Sequence, residues 1–269
     1  MLRSTFLHVA GIGPWTESML WQLGISDWAG FRERREIPGV APVRKARWDA
    51  EVARSETALA GREAEYFAAR LPAFEHWRLY PEFRRETAFL DIETTSLSPY
   101  QGIVTVVAVH GNGATRSFVA GENLEELPAY LRGFKVLATF NGIFFDVPFL
   151  KVAFPQWVPP LAHIDLRFVL RRIGHTGGLK RIEQELGLGE RAGVEGIHGA
   201  DAVRLWHEYR RGRREALDLL VEYNRADTVN LEPLLDYATS ELLRRLRPPG
   251  GARPIESYGP PATPAAGPA

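Results

Sequence analysis

Between residues 87 and 140 the apolar residues stop recurring at helical spacing and gather into short runs, and no other stretch restricts the fold as much. Ile103-Val104-Thr105-Val106-Val107-Ala108-Val109 reads as a central strand. Gly111-Asn112-Gly113 is a strong hairpin turn, leading into a partner strand over 114–119. Asn123 to Arg132 reads as helix, and Val136-Leu137-Ala138-Thr139-Phe140 as a short, nearly all-apolar strand suited to an interior position flanked by helices. A hairpin followed by β-α units indicates an α/β protein with a mixed sheet.

Ahead of these strands, Phe89-Leu90-Asp91-Ile92-Glu93-Thr94-Thr95 delivers two carboxylates two residues apart inside an apolar run. In a strand, residues i and i+2 point to one face, so Asp91 and Glu93 stand side by side while Leu90 and Ile92 enter the core behind them. Two anions so close repel unless something positive sits between them. A divalent metal is one remedy; two solvated acids at a strand end is the plainer reading. With no Cys in 269 residues, any metal is held by oxygen or imidazole, a ligand set that suits Mg2+ or Mn2+.

Three further acids fall where such a site needs them. Asp146 follows Asn141-Gly142-Ile143-Phe144-Phe145 at a strand end, where adjacent parallel strands reach one rim and ligands collect. It is equally placed to cap the next helix. Asp165, after Ala162-His163-Ile164, is either an accessory outer ligand or the cap of the helix from Leu166 to Ile173. A long helix from about Glu215 to Leu235 carries Tyr223 and Asp227 one turn apart on a face that is otherwise Leu-rich. A carboxylate on such a face needs a partner, because isolated burial is too costly.

Elsewhere the chain divides by composition. Residues 1–35 hold Gly11-Ile12-Gly13-Pro14 and many aromatics, a small helical module that either docks on the main domain or presents backbone amides to phosphate like a helix-hairpin-helix element. Residues 36–86 are charged and helical, read as a linker; residues 247–269 are Pro, Gly and Ala, read as a disordered tail. The 33 basic and 33 acidic residues cancel, which argues against a polybasic nucleic-acid coat and leaves room for a local track. Arg171, Arg172, Lys180 and Arg181 are such a track, with Gly177-Gly178 at the mouth of a helix. No apolar run approaches the roughly 20 residues of a membrane span, and the start does not open as a signal peptide, so the expectation is a cytoplasmic protein with no membrane partner.

Taken together, Asp91-Ile92-Glu93-Thr94-Thr95, Asn141-Gly142 with Phe145-Asp146, and Tyr223-Asn224-Arg225-Ala226-Asp227 resemble the three motifs of the DEDD superfamily of 3′-to-5′ exonucleases, in its tyrosine-bearing branch. The closest likeness is to YprB-like domains, which also account for Gly177-Gly178-Leu179-Lys180, His163-Ile164-Asp165-Leu166 and the N-terminal Gly11-Ile12-Gly13. The resemblance covers roughly residues 3 to 236 and implies a ribonuclease-H-like domain over residues 87–240. One position departs from it: Ser96 stands where many members have Gly, and its side chain would narrow the pocket slightly.

The resemblance further implies two Mg2+ or Mn2+ ions, with Asp91 bridging them, Glu93 and Asp227 completing the first site, Asp146 holding the second, and Tyr223 orienting the attacking water. Thr94, Thr95, Leu97 and Asn141 would contact the last nucleotide of a DNA or RNA strand with a free 3′ end, and Arg171, Arg172 and Lys180 its phosphates. The N-terminal module or the tail would serve a protein partner. Two rivals stand beside this reading: a non-catalytic nucleic-acid-binding protein with one structural cation, and a structure-specific endonuclease, since a fold does not select among nucleases.

Overall fold

Asn112 and Gly113 both take positive φ, 53° and 75°, closing a two-residue turn whose twist matches the strands it joins. That turn pairs β2 (Val104–Gly111) with β3 (Ala114–Val119), and β2 pairs antiparallel with β1 (Thr87–Thr94). Beyond β1 lie β4 (Val136–Thr139) and β5 (Ala162–Asp165), both parallel to it, giving a mixed sheet of order β3-β2-β1-β4-β5. The computed structural model describes residues 1–246; the tail over 247–269 lies outside the described residues.

Before the sheet come α1 (Pro14–Gln22), α2 (Trp28–Glu33), α3 (Pro42–Ala60), α4 (Ala64–Ala68), a 3-10 stretch over Ala73–Leu79, and α5 (Tyr80–Phe83). After β3 and β4 come α6 (Leu127–Leu131) and α7 (Asp146–Ala153); after β5 come α8 (Leu166–Arg172), α9 (Leu179–Leu186), α10 (Gly199–Arg210), α11 (Arg214–Val229) and α12 (Leu231–Leu246). Strand alternation sorts the faces. Leu90, Ile92, Val107 and Val109 pack with Leu127, Val147 and Leu150 of α6 and α7. On the other face, Val106 packs with Ala202, Trp206, Leu217 and Leu220 of α10 and α11. The result is a sheet flanked by helices, with a helical N-terminal region beside it.

The helix expected to run unbroken to Leu235 instead ends at Val229, and α12 begins at Leu231. Pro233 has no amide hydrogen to give the carbonyl four residues back, so the ladder cannot pass through it. Asn230 uses the break: its side chain reaches Glu183 Oε1 at 3.2 Å and accepts from the Glu190 amide at 3.1 Å.

Residues 1–86 share one core with the sheet. Phe6, Trp28, Phe31, Trp48, Val52, Phe67 and Trp77 are buried with Phe89, Val136, Ile164, Leu170 and Leu234. Each such side chain contributes about 1.5–3 kcal/mol by leaving water. Three charges lie inside this junction and a fourth reaches in from its edge: Arg78 Nε meets Glu75 Oε2 at 2.6 Å and its Nη1 meets Glu17 Oε2 at 3.3 Å, while the exposed Arg172 brings Nη2 to Glu75 Oε1 at 2.9 Å.

His8 is buried there too, with Nε2 2.9 Å from Ser55 Oγ and its ring against Trp28 and Phe67. Burial, helped by the charge of Arg70, pushes its pKa down to about 3. Below the ordinary value of 6.5 the unfolded chain then takes up a proton that the folded chain refuses, so stability falls as pH falls from 6.5 toward 3. At pH 5 this costs about 2 kcal/mol. Melting followed from pH 7 to pH 5 is expected to fall more steeply for the wild type than for His8→Asn.

Candidate metal centre

β1 is where the site begins, because its two acids point at the face covered by α11. Asp91 pairs across the sheet with Ala108 and Glu93 with Val106; the register then slips, so that Thr94 faces Val104. Such a bulge bends the strand and re-aims the residues beyond it. Asp227, one turn after Tyr223 on α11, arrives from above. Carboxylate oxygens of Asp91, Glu93 and Asp227 all lie within 4.8 Å of one another. Glu93 and Asp227 are 8% and 7% exposed, so the repulsion among them is little screened by water.

Asp146 is not one of the three that converge at that distance, but it is 2% exposed and its charge acts on both Asp91 and Glu93. Burial foremost, then the charges of Asp146, Asp227 and Glu93, drives the Asp91 pKa well above the carboxylate range. Glu93 is raised in the same way, by burial and then by Asp227 and Asp146, with Lys180 opposing. Asp146 is pushed up to about 7, chiefly by burial, although its own amide and that of Ile92 favour its charged form. Tyr223 is raised by burial and by Asp227 and Glu93, so its phenol stays protonated.

The donors fit a hard divalent cation. They are all oxygen, and among the described residues the buried Asp227 Oδ1 has no aligned hydrogen-bond donor, only the charge of Arg191 beside it. Asn224 Nδ2 donates to Asp91 Oδ2 at 2.8 Å, which holds that carboxylate in place from α11. The resident positive charge comes from two side chains. Arg191 Nη1 approaches Asp227 Oδ1 at 2.5 Å without hydrogen-bond alignment, while its Nε and Nη2 grip Glu183 at 2.6 and 2.9 Å. Lys180 Nζ stands 4.4 Å from the centre of the Tyr223 ring and donates to the Ile197 carbonyl.

The other expected contacts divide into those gathered at the rim and those engaged elsewhere. Thr94 Oγ1 donates to the Ser96 carbonyl at 2.6 Å, and Thr95 Oγ1 accepts from the Ile103 amide at 3.0 Å, so both hydroxyls pin the loop after β1. Ser96 Oγ accepts from the Ser98 amide at 3.2 Å, within its own loop. Leu97 is 89% exposed at the tip. Arg171 is exposed on α8, whereas Arg172 is held by the Phe74 carbonyl and Glu75.

Asp165 caps α8 and does more. Its carboxylate accepts from the amides of Asn141 at 2.8 Å, Ile143 at 3.1 Å and Arg167 at 3.1 Å, so it braces the β4–α7 loop that carries Asp146. Asn141 sits there at φ 66°, a left-handed conformation Asn tolerates, and accepts from Arg167 Nη1 at 2.6 Å. A side chain on Gly142 would collide with Thr139 Oγ1, so the loop turns only with glycine at that position. Arg191, and Asn224 as the anchor of Asp91, were not singled out from the sequence. Asn224 lies one helical turn before Asp227 and was findable on that face; Arg191, in a Gly-rich loop without periodicity, was not.

The RNase_H_2 family, described as RNase_H superfamily, matches residues 88–239. No curated protein matches the chain. Among solved structures, it is similar to the family B DNA polymerase of the hyperthermophilic archaeon Pyrobaculum calidifontis, at 21% identity and TM-score 0.45 over 56% of this chain and 24% of the polymerase. It is also similar to a nuclease in its apo form, at 20% identity and TM-score 0.43 over 66% and 80% of the two chains. Brucella melitensis NrnC with bound Mg2+ matches at 21% identity and TM-score 0.42, over 61% of this chain and 77% of NrnC. The chain thus spans less than a quarter of the length of the polymerase it matches.

Proposed function

The chain belongs to the RNase H superfamily, and from that premise we propose that it is a divalent-metal-dependent 3′-to-5′ exonuclease of the tyrosine-bearing DEDD type, releasing nucleoside monophosphates from single-stranded or frayed ends. The observation that carries this reading is the convergence of Asp91, Glu93 and Asp227 within 4.8 Å at the rim of the sheet. Asp146 is buried beside them, and Tyr223 lies one turn before Asp227.

Asp91, Glu93 and Asp227 would hold one Mg2+ or Mn2+, and Asp91 with Asp146 a second. Bound there, such ions supply positive charge to the attacking and leaving oxygens of an in-line phosphoryl displacement. The protein's own part is placement. Asn224 fixes the Asp91 carboxylate, the Asp165 brace fixes the loop of Asp146, and the Tyr223 hydroxyl, kept protonated near Asp227, would orient the attacking water. A phenol with a raised pKa is a poor base at neutral pH, so Tyr223 positions the water and does not deprotonate it. Lys180, beside Tyr223, would exchange the Ile197 carbonyl for substrate phosphate.

Hydrolysis of 5′-labelled single-stranded DNA and RNA oligonucleotides with Mn2+ and with Mg2+ tests this directly. A descending ladder of 5′-labelled products is expected, lost in Asp91→Ala and slowed about 10- to 100-fold in Tyr223→Phe, the usual size of a lost orienting contact beside a metal site. Internal cuts with no ladder, or binding without cleavage, would contradict it.

A further inference from the structure

We propose that Phe144 and Phe168 form a stacking ledge for nucleobases of the unpaired strand adjoining the cleaved nucleotide; this rests on the nuclease reading above and names its substrate contact. Phe144 is 68% exposed and Phe168 36%, and their rings stand edge to face with centroids 6.0 Å apart. Both belong to the rim that carries the acids. Phe144 lies two residues before Asp146 in the β4–α7 loop, Phe168 lies in the first turn of α8, and β1, β4 and β5 run parallel, so their ends open on the same side.

The exposure is not that of a slack loop. Asp165 holds the amides of Asn141 and Ile143, Gly142 is pressed on Thr139, and Arg167 ties α8 back to the Asn141 side chain. A large aromatic ring kept in water by a rigid brace marks a surface made for contact.

Charge selects the occupant. The α8 sequence, Leu166 to Arg172, contains no acid, and Phe168 is flanked by Arg167 and Arg171, both exposed. Aromatic faces interleaved with arginine are the arrangement that binds single-stranded nucleic acid, because bases stack on the rings while the guanidinium groups meet the phosphates. Every base has a π-face, so the ledge accepts DNA and RNA of any sequence. It favours ends whose bases are not already stacked in a duplex. Leu97 and Tyr100, in the loop after β1, are also strongly exposed, at 89% and 86%.

The test uses single-stranded oligonucleotides carrying 2-aminopurine at successive positions from the 3′ end, bound to the full chain in Ca2+, with emission and anisotropy read together. The wild type is expected to quench emission at one or two adjacent positions. In the Phe144→Ala/Phe168→Ala double variant the emission should return and Kd should rise about tenfold, the size expected for a lost stacked base. Phe144→Trp should keep the quench. Unchanged emission and Kd in the double variant would overturn the proposal. So would self-association in sedimentation that the double variant abolishes while oligonucleotide binding persists, which would make the ledge a protein interface. The two readings fail separately. A wild type that quenches but cuts no strand sinks the nuclease and leaves the ledge; one that cuts while the double variant still quenches does the reverse.

Discussion

Asp91→Asn is expected to slow hydrolysis by about 10³-fold or more, and yet to raise the melting temperature of the protein in EDTA by a few degrees. The two effects have one cause. Asp91 is pressed by the charges of Asp146, Asp227 and Glu93 in poorly solvated surroundings, so in the metal-free protein its ionisation is a burden on the fold. An amide at position 91 removes that charge while its oxygen can still accept from Asn224 Nδ2, so packing is kept. The gain should be about 1–2 kcal/mol, in the range seen when a functional site is traded for stability.

Metal reverses the ranking. A cation present at 100 times its Kd stabilises by about 2.7 kcal/mol, so Mn2+ is expected to lift the wild type past the variant, which should respond little. The pH dependence has a definite sign. A carboxylate whose folded pKa is raised holds its proton longer than the unfolded chain does, so its contribution is present at low pH and lost as pH rises through the raised value. For Asp146 that loss begins near the ordinary value of 3.8 and is nearly complete by about 7. The advantage of Asp91→Asn in EDTA should therefore be largest at pH 8 and shrink toward pH 5. Melting curves with and without Mn2+ at both pH values check all of this, and a variant that melts below the wild type in EDTA at pH 8 would show that the acids are not under strain.

Arg78→Ala is expected to cost about 3–5 kcal/mol, the penalty for breaking a buried ion pair from one side. Arg78 is 2% exposed and stands between Glu17 and Glu75, themselves 2% and 4% exposed. Without it two carboxylates face each other inside the core. Glu17 retains donors in Thr5 Oγ1 at 2.6 Å and the Phe6 amide at 2.7 Å; Glu75 retains Trp77 Nε1 at 3.0 Å and Arg172. These donors hold both carboxylates where they are, so the two stay facing each other. Because Arg172, the last residue of α8, also holds Glu75, the loss should reach the sheet side of the junction as well as the N-terminal helices. Urea unfolding measures the cost, and a drop of less than about 1 kcal/mol would mean that water enters and screens the pair. Arg78→Met, which also removes the hydrogen-bonding head but fills the volume, should recover little, since the carboxylates and not the cavity set the penalty.

Local chemistry made much of this protein legible in its sequence. The Asn112-Gly113 turn arises from the backbone those residues tolerate. The alternation through Leu90, Asp91, Ile92 and Glu93 told which side chains enter the core and which stand together, because a strand has a period of two. Tyr223 and Asp227 share a face because a helix brings i and i+4 together. The mixed sheet flanked by helices, and the set of acids that could meet at its rim, needed nothing more than these periods and the turn residues.

Tertiary structure decided what each of those side chains touches. Whether Arg172 faces phosphate or Glu75 depends on where residues 73–79 settle, nearly a hundred positions away in the chain. Asp165 could be read as a ligand or as a cap, and only the approach of the β4–α7 loop made it the brace of Asn141 and Ile143. Arg191 reaches Asp227 from a loop with no pattern to read. Periodicity reports the direction in which a side chain leaves its own backbone, over a few residues; the partner waiting there is set by packing between segments distant in sequence, and the electrostatics of a buried site belong to that packing.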